Sequence, residues 1–299
     1  MASPRTETVE DRYKGIDLWP AADILAALAD GQVRGASAVR DAIPALALAA
    51  GQAAEAIRAG GRLVYVGAGS SGLIALIDAL ELPQTFGIPQ EQIIVLLAGG
   101  AAMTTTLTGG PEDDPVLAAE DIARAAVTPG DFVVGVSASG STPYTVTALR
   151  LARAAGAGTA AIACNSSTPL HAEADIAIVL DSGPEVLAGS TRMGAGTAQK
   201  AAFNMLSTMI AISLGHVVDG MMVNVRADNR KLVGRATGIV ARIASVDEAT
   251  AYQALEMAHG AVKAAILLAA GAPDSATAEA LLERTGGDIR LALEGLRPT

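Results

Sequence analysis

Two glutamates carry the residue type and setting for proton-transfer chemistry. Glu81 lies in IDALELPQTFG, about ten residues beyond a glycine- and serine-rich run, and Glu112 lies in TGGPEDD. A carboxyl pair at one crevice can supply a general acid and a general base, each worth on the order of 10²–10⁴-fold in rate. Taken singly, Glu81 equally fits a solvated helix end and Glu112 a solvated turn. The nearby GAGSSG (67–72) follows the strand-like RLVYV, and SASGSTP (137–143) follows DFVVGV. At a helix N-terminus, Ser70 and Ser71 offer hydroxyls and backbone N–H groups to an anion. Ser139, Gly140, Ser141 and Thr142 offer the same at the second turn, with Pro143 suited to a first helical position. The lysines are Lys14, Lys200, Lys231 and Lys263, and none completes a G-x-x-x-x-G-K pattern. Hydroxyl-rich turns without that lysine fit a phosphate monoester on a small molecule better than a nucleoside triphosphate.

GAGSSG formally matches G-x-G-x-x-G. A dinucleotide site also needs an acid at the end of the next strand to hold a ribose hydroxyl. Here QIIVLL runs into Ala98, Gly99 and Gly100, so no nicotinamide cofactor is expected. In GPEVLAGSTRMGAGTAQK (183–200), Glu185, Ser190, Thr191 and Arg192 are candidates to complete a polar site. His171, His216 and His259 are far apart without ligand spacing, so no metal is expected. The single cysteine, Cys164, excludes an intrachain disulfide and fits a reducing cytoplasm.

These segments need a scaffold, and the hydrophobic pattern supplies one. Five short β-branched runs (RLVYV, QIIVLL, DFVVGV, TAAIAC and DIAIVL) alternate with stretches long enough for crossover helices. The pattern predicts an α/β fold with a doubly wound five-stranded parallel sheet. Helices are expected over residues 1–60, the sheet domain over 61–234, and a small helical domain over 235–299. Asp247 or Ser245, and Ser275, are expected N-caps, with Gly271 and Gly286 as stops. In 299 residues, 51% hydrophobic and 17% charged, there is ample material for a folded core. A net charge of −10 with 3% aromatics argues against nucleic-acid binding, which wants cations for phosphates and rings for stacking. The amino terminus does not read as a secretory signal, and no uninterrupted apolar run reaches the ~18–20 residues of a membrane span. Met205 to Val218 reads as a buried helix, and the chain as a cytoplasmic protein.

Taken together, GAGSSG, DALELPQTFG, GGPEDD, SASGSTPYT, ACN (163–165), GPEVLAGSTRMGAGTAQK and NMLST resemble, in order and approximate spacing, the N-acetylmuramic acid 6-phosphate etherases. These belong to the sugar isomerase (SIS) fold superfamily, and the likeness runs from about Thr8 to the end. The resemblance implies an SIS domain and a homodimer with its site near the interface. It also implies cofactor-free cleavage of the lactyl ether of N-acetylmuramic acid 6-phosphate, a step in peptidoglycan recycling. It assigns Glu81 as proton donor and Glu112 as the base, although the residue types fit either order. It assigns Ser70, Ser71 and Ser139 with its neighbours to the phosphosugar.

The chain departs from the etherase pattern at Leu73 and Ser141, where Arg is usual, and at Gly194, where Lys is common. Leu82-Pro83-Gln84 stands in place of Cys-Pro-Pro. Arginine is the natural partner of a carboxylate such as lactyl's. Weak recognition of that group is therefore expected unless Arg192 or Arg226 supplies the charge. Two other readings share the same turns: an SIS enzyme for another sugar phosphate, and a non-catalytic sensor similar to glucokinase regulatory protein. Two retained glutamates favour an enzyme, and one SIS module instead of two in tandem counts against the sensor.

Overall fold

In the computed structural model, which describes residues 5–225 and 230–296, the five β-branched runs form one parallel sheet. Two helices precede it, α1 (Ala21–Ser37) and α2 (Ile43–Arg58), with Pro44 in the first turn of the second. Then come β1 (Leu63–Gly67), α3 (Gly69–Phe86), β2 (Ile93–Leu97), α4 (Pro115–Ala125) and β3 (Phe132–Ser137). They are followed by α5 (Pro143–Ala154), β4 (Gly158–Ala163), α6 (Pro169–Ala172), β5 (Ile176–Val179) and α7 (Gly194–Ser213). The strand order is β2-β1-β3-β4-β5, with Leu63 in register with Ile93 on one side and Phe132 on the other.

That order positions a site. From β1 the chain crosses to one side to form β2, then returns to β3 on the other. The carboxyl ends of β1 and β3 are therefore neighbours whose following segments leave in opposite directions. Ligands of open α/β sheets lie at such a switch point. Both serine-rich turns emerge from these two strands.

The two faces of the sheet are covered by different helices. On one, Val64, Val66, Val133 and Ala161 pack against Ala118 and Ile122 of α4, Ala148 and Leu149 of α5, and Leu170 of α6. On the other, α2 lies across β1, β3, β4 and β5, with Ala49, Ala50 and Ala53 wholly buried. Tyr65 meets Phe203 of α7 there, with ring centroids 5.5 Å apart. The Tyr65 hydroxyl donates to Asp78 at 2.8 Å, and Ser207 donates to the other carboxylate oxygen at 3.0 Å.

At the amino ends of β1 and β3, Asp131 joins the strands. Its carboxylate accepts from the backbone N–H of Arg62 (3.0 Å), from that residue's guanidinium (2.6 and 2.9 Å), and from Thr128 N (2.8 Å). Burial alone would raise the pKa of this carboxyl, but the bonds from Arg62 and Thr128 outweigh burial and hold it below its usual range.

The chain divides into two compact units, Met1–Leu80 with Glu91–Met209, and Glu81–Gln90 with Ile210–Thr299. This differs from the expected boundary near residue 234. Val218, Val223 and Val225 are buried in the core of the helical unit, so the preceding residues group with it. Within residues 1–60, α2 forms a layer of the sheet unit. The helical unit has a two-stranded hairpin, β6 (Val217–Val218) and β7 (Met221–Met222). Its helices are α8 (Arg230–Ala244), α9 (Glu248–Met257), α10 (Val262–Ala269), α11 (Ser275–Arg284) and α12 (Ile289–Glu294). Asp247 caps α9 as expected, bonding Thr250 N at 2.7 Å. Asp274, not Ser275, caps α11: its carboxylate takes Thr277 N at 2.7 Å, and Ser275 is already helical. Among the described residues no helix is long and apolar enough to cross a membrane.

Candidate functional site

Outside the carboxyl ends of β1 and β3 lies a cleft of about 660 Å³. The first turn contributes Gly69, Ser70 and Ser71, and the second Ser137, Ser139, Ser141 and Thr142. The connection after β2 contributes Thr108, Gly109, Glu112 and Asp113, while Glu7 and Thr191 close the rim.

The first turn is open. Gly69 adopts φ +54, and a methyl group built on it would stand 3.6 Å from Glu112 Oε2, so the carboxylate hangs over the bare backbone at the start of α3. Among the described residues, the Ser70 and Ser71 hydroxyls have no hydrogen-bond partner. Half-buried Glu112 comes from a short 3₁₀ turn, Gly110–Asp113, next to Asp114, which caps α4 through Val116 N and Leu117 N.

The second turn is closed upon itself. Ser137 Oγ is 2.7 Å from Thr142 Oγ1 and 3.3 Å from Ser139 Oγ, and it accepts from Gly140 N at 3.1 Å. Ser139 Oγ also accepts from Ser141 N at 3.2 Å and from the Ser141 hydroxyl at 3.0 Å. Gly140 has φ +71 and presses on α6: a Cβ there would come within 2.4 Å of Thr168 Oγ1. Gly140 shapes the turn and does not line the cleft.

The structure thus brings Ser70, Ser71, Glu112, Ser139, Ser141, Thr142 and Thr191 to one cleft. Besides Gly140, the expected residues Glu81 and Glu185 are not in the cleft lining. Glu81 is exposed about three turns further along α3, on the stretch that belongs to the other compact unit. Glu185 is buried, and its carboxylate accepts from Gly194 N (2.9 Å) and Ala195 N (2.8 Å). It caps α7 in place of binding a ligand, a use favoured by the partial positive charge of a helix N-terminus. Leu73, Gly194, Ser190 and Arg192 are also outside the lining, and Arg226 lies outside the described residues. Among the described residues no lysine or arginine lines the cleft. Cys164 is buried with its thiol donating to Ala195 O at 3.7 Å; burial pushes it up to about 12, so it remains an inert thiol.

Glu7 was not legible in the sequence, because MASPRTETVEDRYKG reads as a polar amino-terminal run. Its neighbours are fixed by residues roughly 160 positions away, with Arg5 N donating to Asn165 Oδ1 at 2.8 Å and Asn165 Nδ2 donating to Thr6 Oγ1 at 3.3 Å.

The family model of the glucokinase regulatory protein N-terminal SIS domain matches residues 45–153, a span that includes both serine-rich turns. Fold and site together define an SIS-domain protein. An N-acetylmuramic acid 6-phosphate etherase of Mycolicibacterium smegmatis is 44% identical over 293 residues, covering 98% of each chain. The etherase of Deinococcus radiodurans is 41% identical over 294 residues, covering 98% of this chain and 96% of that one. This chain belongs to the N-acetylmuramic acid 6-phosphate etherase family. Among solved structures, a phosphoheptose isomerase from Francisella tularensis aligns with a TM-score of 0.47 at 18% identity, over 65% of this chain and 98% of the other.

Proposed function

We propose that this chain is a carbon–oxygen lyase that cleaves the D-lactyl ether of N-acetylmuramic acid 6-phosphate to N-acetylglucosamine 6-phosphate and D-lactate. The observation that carries the reading is the Glu112 carboxylate poised over an open helix N-terminus, in a cleft floored by two hydroxyl-rich turns. The phosphate takes the Ser70–Ser71 turn and the Ser139–Thr142 turn, where hydroxyls and N–H groups donate to its oxygens. In the open-chain sugar the C2 proton is acidic because it adjoins the C1 aldehyde. Glu112 removes that proton, the C3–O bond breaks, and the ether oxygen leaves with the electron pair and a proton from Glu81. Water then adds across C2=C3, its hydroxyl to C3 and a proton to C2, and both carboxyl groups return to their starting states. Glu112 rests on geometry and family together; Glu81 rests on the family resemblance.

The protein acts as a cytoplasmic homodimer in this reading. Leu25 and Val33 of α1, each 66% exposed, support an apolar contact with a second copy.

Release of D-lactate from N-acetylmuramic acid 6-phosphate tests the activity. Glu81→Gln and Glu112→Gln each keep size and a hydrogen bond but cannot exchange a proton. Each should lower kcat by ~10²–10⁴-fold with KM changed only a few-fold. Binding of sugar phosphates without turnover of any would make the protein a sensor instead.

A further inference from the structure

The cleft contains a carboxylate that the elimination does not use. Glu7 lines the same cavity as Ser70, Ser139 and Glu112, and its Oε2 lies 2.7 Å from the position a Cβ on Gly189 would occupy. Its exposure is deceptive, because the backbone that carries it is anchored from three directions. Thr6 is wholly buried, and its carbonyl accepts from Gly189 N at 2.9 Å. Asn165 joins Thr6 to the second serine-rich turn by donating also to Ala138 O at 3.1 Å. Arg5 adds an ion pair to Asp181. The amino-terminal turn is therefore part of the cleft wall. The Glu7 carboxylate itself has no hydrogen-bond or ionic partner among the described residues.

The Glu7 carboxylate is solvent-exposed at the cleft and so is available to a ligand bound there. Ionised glutamate only accepts hydrogen bonds, and a phosphate monoester offers it almost no donors and repels it. The hydroxyl and amide N–H groups of the sugar are donors, and their bonds to a carboxylate are the stronger, charge-assisted kind. We propose that Glu7 is a specificity-determining residue, gripping donor groups of the sugar chain while the serine-rich turns hold the phosphate. This rests on the reading of the cleft as a phosphosugar site and adds to it a sensor for the sugar end. By penalising phosphate and rewarding donors, Glu7 also fixes which way round the substrate enters.

The test compares two ligands on the full chain by calorimetry: inorganic phosphate and N-acetylglucosamine 6-phosphate. Glu7→Ala should weaken the sugar phosphate at least tenfold while inorganic phosphate binds as well as, or a few-fold tighter than, in wild type. Glu7→Gln, which keeps one acceptor oxygen, should recover part of the lost affinity and show the same separation between ligands. In turnover the loss should fall on KM more than on kcat. A parallel loss of both ligands in both variants would make Glu7 a structural brace and overturn the proposal, as would sugar-phosphate affinity unchanged in both. Wild-type protein that binds neither ligand would instead overturn the phosphosugar reading itself.

Discussion

The two serine-rich turns look alike in sequence and differ in construction. The turn after β3 spends its hydroxyls on itself: Ser137, Ser139, Ser141 and Thr142 form one hydrogen-bonded group around a left-handed Gly140. The turn after β1 leaves Ser70 and Ser71 without partners among the described residues, and a Cβ on its left-handed Gly69 would meet only Glu112 Oε2, at 3.6 Å. One turn is organised by its own hydrogen bonds; the other leaves its hydroxyls to solvent. The same residue types can thus serve as a rigid cradle or as a responsive grip, depending on whether a neighbour already satisfies the hydroxyls.

Replacing each turn's glycine should separate the two turns most widely. Gly140→Ala must move Thr168 as well as bear a positive φ, at a cost of roughly 2–4 kcal/mol in unfolding free energy. Gly69→Ala meets nothing closer than 3.6 Å and bears only the backbone strain, about 1 kcal/mol. Equal losses in denaturant melts would show that the two turns are equally braced. Side-chain removal should separate them by a smaller margin. Ser137→Ala strips a buried hub and should cost roughly 1–2 kcal/mol along with phosphate affinity. Ser70→Ala and Ser71→Ala should stay within about 0.5 kcal/mol in stability yet still weaken phosphate, as read by melts and calorimetry side by side.

The helical unit supplies a reference that changes in the turns should not disturb. Lys263 of α10 is 8% exposed, donates to Gly287 O at 2.7 Å, and is lowered by burial to about 8. Between that value and the ordinary lysine range near 10.5 the unfolded chain holds a proton that the folded chain has released. Unfolding free energy contributed by this group should therefore rise with pH across that window, by up to ~2–3 kcal/mol. Below pH 8 both states are charged and the slope disappears. Denaturant melts at pH 8, 9 and 10 should show the slope in wild type and in Ser70→Ala, and lose it in Lys263→Met.

Much of this was readable before the structure. RLVYV, QIIVLL, DFVVGV, TAAIAC and DIAIVL identify themselves because a strand buried on both faces must be a short, almost uninterrupted apolar run. The turns were legible because Gly and Ser directly after such a run have few other uses. What escaped has a common physical cause: it depends on partners distant in sequence. Glu185 looked like a ligand, because a carboxylate capping a helix nine residues downstream has the same local spelling as one facing a substrate. Glu7 showed no signal, since Asn165 and Gly189 fix its neighbour. In DS at 274–275 either residue can cap, and only the extended backbone of Asp274 (φ −158) decides. The division between units was misplaced because Val218 to Val225 carries no compositional mark of which core it joins.

Asp131 has a consequence for how the sheet can respond to ligand. With the backbone and guanidinium of Arg62 and the N–H of Thr128 all closing on one carboxylate, the amino ends of β1 and β3 are tied to each other at the edge opposite the cleft. The ladder continues from Leu63 beside Phe132 to Gly67 beside Val136, so the spacing of the two strands is set from the tie to the brink of the cleft. Adjustment to ligands of different bulk is thereby left to the turns beyond the strands, and the tie slackens only in acid strong enough to protonate Asp131.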